Sequence, residues 1–390
     1  MGIRWLEGKQ MGDRSRRYRV GISGSYGGFN LGDEAILQAM IAELRRSMPV
    51  EITVFSRNPA DTLARHDVER AIPVLELSRR EIEPEIRRLD LFILGGGGIL
   101  YDKNAATFLR EVRVAEDLGV PVMIYAVGAG PLEDPERQRL VRECLDRAAA
   151  VTVREREAQR VLELAGVRNR IIVTADPAFL LEPEPFPEAE FEQKTVGELR
   201  NLVGVSVREP GPAAPDIEEE HYHAMLAHAA DFMVDRYDAD LVFVPMEPAV
   251  QDLQQAYAVL SRMAYARRAM VLRGDYTPGQ LLSLASRAVF AVGMRLHFLM
   301  FAAMQRVPFV ALPYAGKVLG LLHMLELPGL PMREINTGQL IAHIDRSWDR
   351  RDLIRAHIDR LLPAIKERAR ETNRIAVRLL KARGEPRKVA

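Results

Sequence analysis

Two ionisable residues, Arg295 and His297, interrupt an otherwise apolar stretch at the end of a short β-like run and the start of a helical pattern. A strand-to-helix junction presents free backbone N–H groups and the positive end of a helix dipole. Arginine adds a planar fork that fits a carboxylate or phosphate, and histidine a proton that moves near neutral pH. The segment Gly293-Met294-Arg295-Leu296-His297 therefore suits an anion that must be held and protonated. Its bland reading is an arginine on a neighbouring carbonyl beside a satisfied core histidine. Arg208 ends another β-like run, and Lys317 follows a third through Tyr314-Ala315-Gly316. If these strands are parallel, all these cations reach one rim, where a phosphate and a carboxylate could be neutralised together. The ordinary alternatives are an Arg208–Glu209 ion pair and an exposed lysine.

Two glycine-rich segments follow β-like runs in the first half. Gly24 to Glu34 leads into an amphipathic helix and contains Asn30, Gly32, Asp33 and Glu34. Glycines let a ligand approach the backbone, but Asp33 and Glu34 would repel a phosphate at the helix start, so a sugar hydroxyl fits better. Helix capping by Asn30 or Asp33 is the structural alternative. The run Gly95 to Gly98 is expected to lie at a strand's end, where backbone and ligand approach closely; Gly96, Gly97 and Gly98 are candidate contacts. Arg154 with Glu155, and Asp176 before Pro177, follow later strands and could equally be structural. His221, His223 and His228 share one helical stretch but lack the spacing of a metal site, and none is expected.

The elements that must position these groups alternate between short β-branched runs and longer helical stretches, the pattern of βα units feeding a parallel sheet. Strands are expected at 20–23, 52–55, 91–94, 122–126, 150–153 and 171–173, and again at 202–207, 241–244, 270–272, 288–292 and 309–312. The fold class is α/β: two Rossmann-like domains facing a cleft, with C-terminal helices. The expected division is a tail at 1–18, a first domain at 19–181, a linker at 182–198, a second domain at 199–336 and helices with a basic tail at 337–390. A helix break is expected at Pro363. From Arg351 to Ala390, 12 Lys/Arg stand against 5 Asp/Glu, a solvated face or a peripheral contact with an anionic membrane.

Of the 390 residues, 48% are hydrophobic and 28% charged, which allows sizeable cores. Lys plus Arg equals Asp plus Glu at 54 each, so no global field favours nucleic acid and any anion site must be built locally. A single cysteine, Cys144, and the lack of an apolar leader point to the cytoplasm as the expected compartment. Charges within the longest apolar stretch argue against a transmembrane helix.

Taken in order, the motifs resemble those of the polysaccharide pyruvyl transferase family over about Val20 to Leu321. They are Gly28, Asn30, Gly32, Asp33 and Glu34; the Gly95–Gly98 run; Val153-Arg154-Glu155; Asp176-Pro177; Arg295-Leu296-His297; and Tyr314 with Lys317. The pattern is nearest the branch that pyruvylates bacterial cell-wall polymers anchoring surface-layer proteins. The resemblance implies a glycosyltransferase-B-like fold, phosphoenolpyruvate as donor substrate, no cofactor, and a sugar of a glycan or lipid-linked intermediate as acceptor, giving a pyruvate ketal. It implies donor contacts from Arg208, Arg295, Leu296, His297 and Lys317. Asn30, Gly32, Asp33, Glu34, Gly96, Gly97, Gly98, Arg154 and Asp176 fall to the acceptor, with His297 and Asp33 catalytic. Glu155 departs from the aspartate of many members. The residues alone leave open a nucleotide-sugar glycosyltransferase, which a stacking aromatic and a ribose-binding acid near Arg295 would favour. They also leave open a nucleotide-binding protein using Arg57 and a non-catalytic glycan-binding relative.

Overall fold

The computed structural model describes residues 17–74, 76–187, 200–209, 218–247, 252–330 and 335–384. Most of the expected tail and linker, and the last residues of the basic stretch, lie outside the described residues. The chain divides into two compact units. One comprises Met1–Gly28, Asp33–Leu181 and Ile365–Ala390; the other comprises Phe29–Gly32 and Glu182–Ala364.

The first unit is built on a seven-stranded, all-parallel sheet. Its strands are β1 (Tyr18–Ser23), β2 (Val50–Ser56), β3 (Arg70–Pro73), β4 (Leu91–Leu100), β5 (Val122–Ala129), β6 (Ala150–Val153) and β7 (Ile171–Val173), ordered β3-β2-β1-β4-β5-β6-β7. The order reverses between β1 and β4, where Ser23 pairs with Leu94. Open α/β sheets place ligands outside the carboxyl ends at such a switch point. Helices α1 (Leu31–Ser47), α2 (Pro59–Arg65), α3 (Arg79–Arg87), α4 (Ala105–Asp117), α5 (Pro135–Arg147) and α6 (Arg156–Leu164) connect the strands. The central strands are apolar on both faces, as a covered parallel sheet requires, and Phe55, Phe92, Ile124 and Val127 are fully buried in its core. Strand β3 has no counterpart among the expected elements. It is short, begins with Arg70, ends with Pro73 and lies at the sheet edge, the place where a proline is tolerated.

The second unit repeats the topology with five parallel strands: β8 (Val203–Ser206), β9 (Leu241–Phe243), β10 (Ala269–Val271), β11 (Phe290–Gly293) and β12 (Phe309–Ala311), ordered β10-β9-β8-β11-β12. Its switch point lies between β8 and β11, where Ser206 pairs with Gly293. Its helices are α7 (Glu219–Tyr237), α8 (Asp252–Leu260), α9 (Pro278–Ala285), α10 (Leu296–Met304), α11 (Gly316–Met324) and α12 (Thr337–Asp349). Tyr237 on α7 stacks on Trp348 of α12 with ring centroids 4.0 Å apart, tying α12 into this unit.

Helix α13 (Arg351–Ala382) is continuous through Pro363, contrary to the expected break. Ile358, Leu362, Ile365, Ala369, Ala376 and Leu380 form a buried stripe at helical spacing, and burial of that stripe outweighs one lost backbone bond. Nor do residues 337–390 stay together, because the units divide at Ile365. Beyond it, Thr372 donates to Thr174 Oγ1 at 2.7 Å and Asn373 to the Glu43 carbonyl at 3.1 Å, both in the first unit. The basic residues Arg370, Arg374 and Arg378 pair with Glu367 and Glu371 on the helix itself. Among the described residues, no helix is long and apolar enough to cross a membrane.

Glu116 of α4 is held in this frame with its side chain 4% exposed, 3.4 Å from Arg147. Burial pushes its carboxyl up to about 7, more than Arg147 can reverse. The folded state therefore binds this proton more tightly than the unfolded chain. Its contribution is complete below about pH 4.5 and is lost as pH rises through about 7. Glu116→Gln is expected to raise the free energy of unfolding in urea at pH 8 by on the order of 2 kcal/mol and to change it little at pH 4.5. Equal effects at both pH values would exclude this buried proton.

Candidate functional site

In the second unit, the three strands at the switch point carry the expected cations at or just beyond their carboxyl ends. Arg208 follows β8, Arg295 and His297 follow β11, and Lys317 follows β12 on the first turn of α11. Tyr222 of α7, fully buried, donates to the Arg208 carbonyl at 2.7 Å and so fixes the chain as it leaves β8. The Arg208 guanidinium lies over the Tyr314 ring, 4.3 Å from its centroid, and Lys317 Nζ lies 5.4 Å from the same centroid. Glu209, next in the chain, pairs with Arg208, as the bland reading of that residue anticipates.

Arg295 differs from its expected state as an available clamp. It is 8% exposed, and Asp252 takes its Nε at 2.9 Å and also pairs with Nη2, while Glu247 meets Nη2 at 3.0 Å. Burial alone would pull the guanidinium down, but Asp252 and Glu247 hold it above its ordinary range. The physical reason is desolvation: a buried, permanent cation needs a carboxylate where it stands. Asp252, fully buried at the start of α8, also accepts from the Met246 and Glu247 N–H groups at 3.0 Å each. It escaped the sequence reading because an aspartate opening a helix looks like an ordinary cap, and its partner lies 43 positions away.

Leu296 is buried in the first turn of α10, with His297 beside it. Residues 29–32 belong to this same unit. The Leu31 N–H donates to the Met246 carbonyl at 2.9 Å, and Asn30 Oδ1 accepts from the Gly32 N–H at 3.0 Å, so Asn30 does cap the start of α1. A Cβ on Gly32 would lie 2.0 Å from His297 Nδ1. The structure thus brings two expected acceptor residues, Asn30 and Gly32, into the unit of the expected donor residues.

The remaining acceptor candidates gather in the first unit. Glu34 is turned inward: Oε1 accepts from the Gly27 N–H at 2.9 Å, and Oε2 lies 2.7 Å from His66 Nε2. It serves as the internal brace of the glycine loop, with His66 as a partner the sequence did not disclose. Gly95 to Gly98 lie inside β4 and not in a loop after it. A Cβ on Gly95 would meet Tyr26 Oη at 2.4 Å and one on Gly96 would meet Ile36 at 2.6 Å, so packing of the β1–α1 segment explains those two. Gly97 has φ +89°, a conformation side chains rarely adopt, and lies near Asp33; Gly98 is exposed and faces Arg154. Arg154, buried, spans Glu155 and Asp176 at 2.8 Å each, and Asp176 also caps the turn at Pro177. Burial first, then Asp33, Glu34 and Asp176, raises the Tyr26 phenol well above its usual range, which places these carboxylates around one buried tyrosine. The ends of the first sheet are rich in acceptors, those of the second in donors.

The family model of polysaccharide pyruvyl transferases matches residues 30–316. The chain belongs to the polysaccharide pyruvyl transferase family. No curated protein matches it. Among solved structures, the fold is similar to that of the Neisseria meningitidis UDP-GlcNAc 2-epimerase bound to UDP-GlcNAc. That match has 12% identity, covers 94% of this chain and 100% of that one, and has a TM-score of 0.61. The S. aureus MnaA–UDP structure matches with 11% identity, 96% and 100% coverage and a TM-score of 0.64. The Anabaena HepE structure with UDP and glucose matches with 12% identity, 94% and 100% coverage and a TM-score of 0.62. These likenesses establish a glycosyltransferase-B-like fold of two parallel-sheet α/β domains with C-terminal helices.

Two substitutions test the site's framework. Asp252→Ala strands a buried guanidinium and is expected to destabilise by about 3–5 kcal/mol in urea unfolding; a loss below about 0.5 kcal/mol would show that Glu247 alone suffices. Gly32→Ala pushes a methyl into the His297 ring. It is expected to shift the His297 imidazole resonances well beyond those of the other histidines while leaving the melting temperature nearly unchanged.

Proposed function

We propose that this member of the family transfers the enolpyruvyl carbons of phosphoenolpyruvate to a sugar of a cell-surface polysaccharide or its lipid-linked precursor, forming a pyruvate ketal. The reading rests on one observation above the rest: Arg208, Arg295, His297 and Lys317 fall at neighbouring strand ends around the second switch point. A small donor carrying a phosphate and a carboxylate matches that set. The nearest resemblance in pattern, to the branch acting on cell-wall polymers, suggests the acceptor class.

Ketal formation adds a proton to the methylene carbon of the donor, leaving cationic character at C2. Two acceptor hydroxyls bond to C2 and the C2–O bond to phosphate breaks. The two hydroxyl protons balance the step: one replaces the proton given to carbon and one leaves with phosphate. His297, on the first turn of α10, is the proposed acid, and Asp33 the proposed base toward an acceptor hydroxyl. The Arg295 donors not taken by Asp252 and Glu247 are proposed to orient the donor carboxylate, since a guanidinium held on two sides keeps a fixed direction. The carboxylate-rich ends of the first sheet suit neutral sugar hydroxyls, which donate hydrogen bonds to them.

The fold neighbours bound to UDP or UDP-GlcNAc supply the second reading, a nucleotide-sugar transferase. Tyr314 and Glu247 do stand at Arg295, but Arg208 covers the Tyr314 ring and Glu247 is paired with Arg295. Titration calorimetry with phosphoenolpyruvate and with UDP-GlcNAc separates the two: only the first is expected to bind. His297→Ala is expected to fold normally and to lower phosphate release from phosphoenolpyruvate plus a lipid-linked disaccharide by about 10²–10⁴. Near wild-type release by that variant would remove His297 from the chemistry.

A further inference from the structure

In the sequence Tyr314 belongs to the motif it shares with Lys317, which gives it no role of its own. It stands just beyond β12, 7% exposed, with both Arg208 and Lys317 over its ring. Its hydroxyl oxygen is buried, the Lys317 ammonium is placed to donate to it, and its own proton finds no acceptor among the described residues. The charged groups acting on it are Lys317, Arg208 and Arg295, all of which donate and none of which accepts. Its proton therefore faces a ring of donors, an arrangement that an incoming acceptor oxygen would complete.

We infer that Tyr314 is a donor-binding residue whose hydroxyl hydrogen-bonds an oxygen of the phosphoryl group, while its ring spaces Arg208 and Lys317 to either side of that group. The inference rests on the phosphoenolpyruvate reading and adds the end of the molecule that this corner takes. Charge matching decides the end. A phosphoryl group carries close to two negative charges and meets the separate cations Arg208 and Lys317 here; Arg295, paired with Asp252 and Glu247, has little charge to offer it and is left to orient the singly charged carboxylate. Glu209 occupies Arg208 in this structure, and a dianionic phosphoryl group competes with a single carboxylate for it. The field at the phenol supports the assignment. Burial alone would raise it, yet Lys317, Arg208 and Arg295 bring it below its ordinary value, so the potential there is positive.

The test is titration calorimetry of the wild-type chain and Tyr314→Phe with phosphoenolpyruvate, inorganic phosphate and pyruvate. Phenylalanine keeps the ring against both cations and removes only the hydroxyl. The expected result is a Kd for phosphoenolpyruvate and for phosphate about 10- to 100-fold weaker in Tyr314→Phe, with pyruvate binding unchanged. In turnover, KM for phosphoenolpyruvate rises in parallel and KM for the acceptor does not move. A melting temperature equal to wild type confirms that the variant is folded; if it is not, Tyr314→Trp, which keeps an aromatic face, is titrated in its place with the same expectation. Equal affinities of the variant and wild type for phosphoenolpyruvate would overturn the role of Tyr314 and leave the donor reading standing. Wild-type binding of phosphate without phosphoenolpyruvate would overturn the donor reading, while a loss of phosphate binding in the variant would still support the Tyr314 contact. A wild-type chain that binds neither anion overturns both.

Discussion

A guanidinium does not shed its charge on burial, so a nearly buried Arg295 obliges the surrounding chain to bring carboxylates to it. Asp252 answers that demand and in the same position accepts from two backbone N–H groups, Met246 and Glu247, which ties the residues after β9 to the pair. The Met246 carbonyl then receives the Leu31 N–H, and Gly32 comes to lie against His297. The entry to α8, the junction before α10 and the start of α1 thus depend on a single buried ion pair. Removing either member would not merely subtract a contact, because the survivor is a charge in a place without water.

The two units share a strand order but not an electrostatic character. At the carboxyl ends of the first sheet stand Asp33, Glu34, Glu155 and Asp176, with Arg154 and His66 engaged among them. At the ends of the second stand Arg208, Arg295 and Lys317, with enough excess of positive potential to lower a buried phenol. The equal totals of acidic and basic residues conceal this division, since net charge reports on the whole molecule and recognition on a few ångströms. Acceptors at one switch point and donors at the other fit a family that handles a polyol and, in the reading proposed here, an anion.

How much of this the sequence disclosed follows from the range of each interaction. The alternation of β-branched runs with helical periods made the parallel α/β architecture legible, and two ionisable residues in an apolar run made the β11–α10 junction legible. The edge strand β3 was not, because only two buried apolar residues, Ala71 and Ile72, stand between Arg70 and Pro73, too few to mark a strand. Asp252 was invisible as the partner of Arg295, and His66 as the partner of Glu34, because each pairing joins residues more than thirty positions apart. The glycine run signalled close approach correctly but not of what. Gly95 and Gly96 yield to Tyr26 and Ile36 of the protein itself, and Gly98 is the member that remains exposed. A break at Pro363 follows from local chemistry alone, and a buried stripe on both sides of the proline reverses it.

The neutralised state of Arg295 bears on what the site can do. A solvated arginine must reorganise before it meets an anion, and that reorganisation weakens its hold on a fleeting charge. An arginine pinned by Asp252 and Glu247 has already lost its water and its freedom, so its remaining donors point one way whether or not an anion is present. Such a fork attracts a free anion less strongly in the ground state, because the carboxylates repel what the guanidinium attracts. It is correspondingly better at fixing direction than at supplying affinity. In the reading proposed here, affinity is left to cations less heavily compensated, such as Lys317 and Arg208 at the Tyr314 ring.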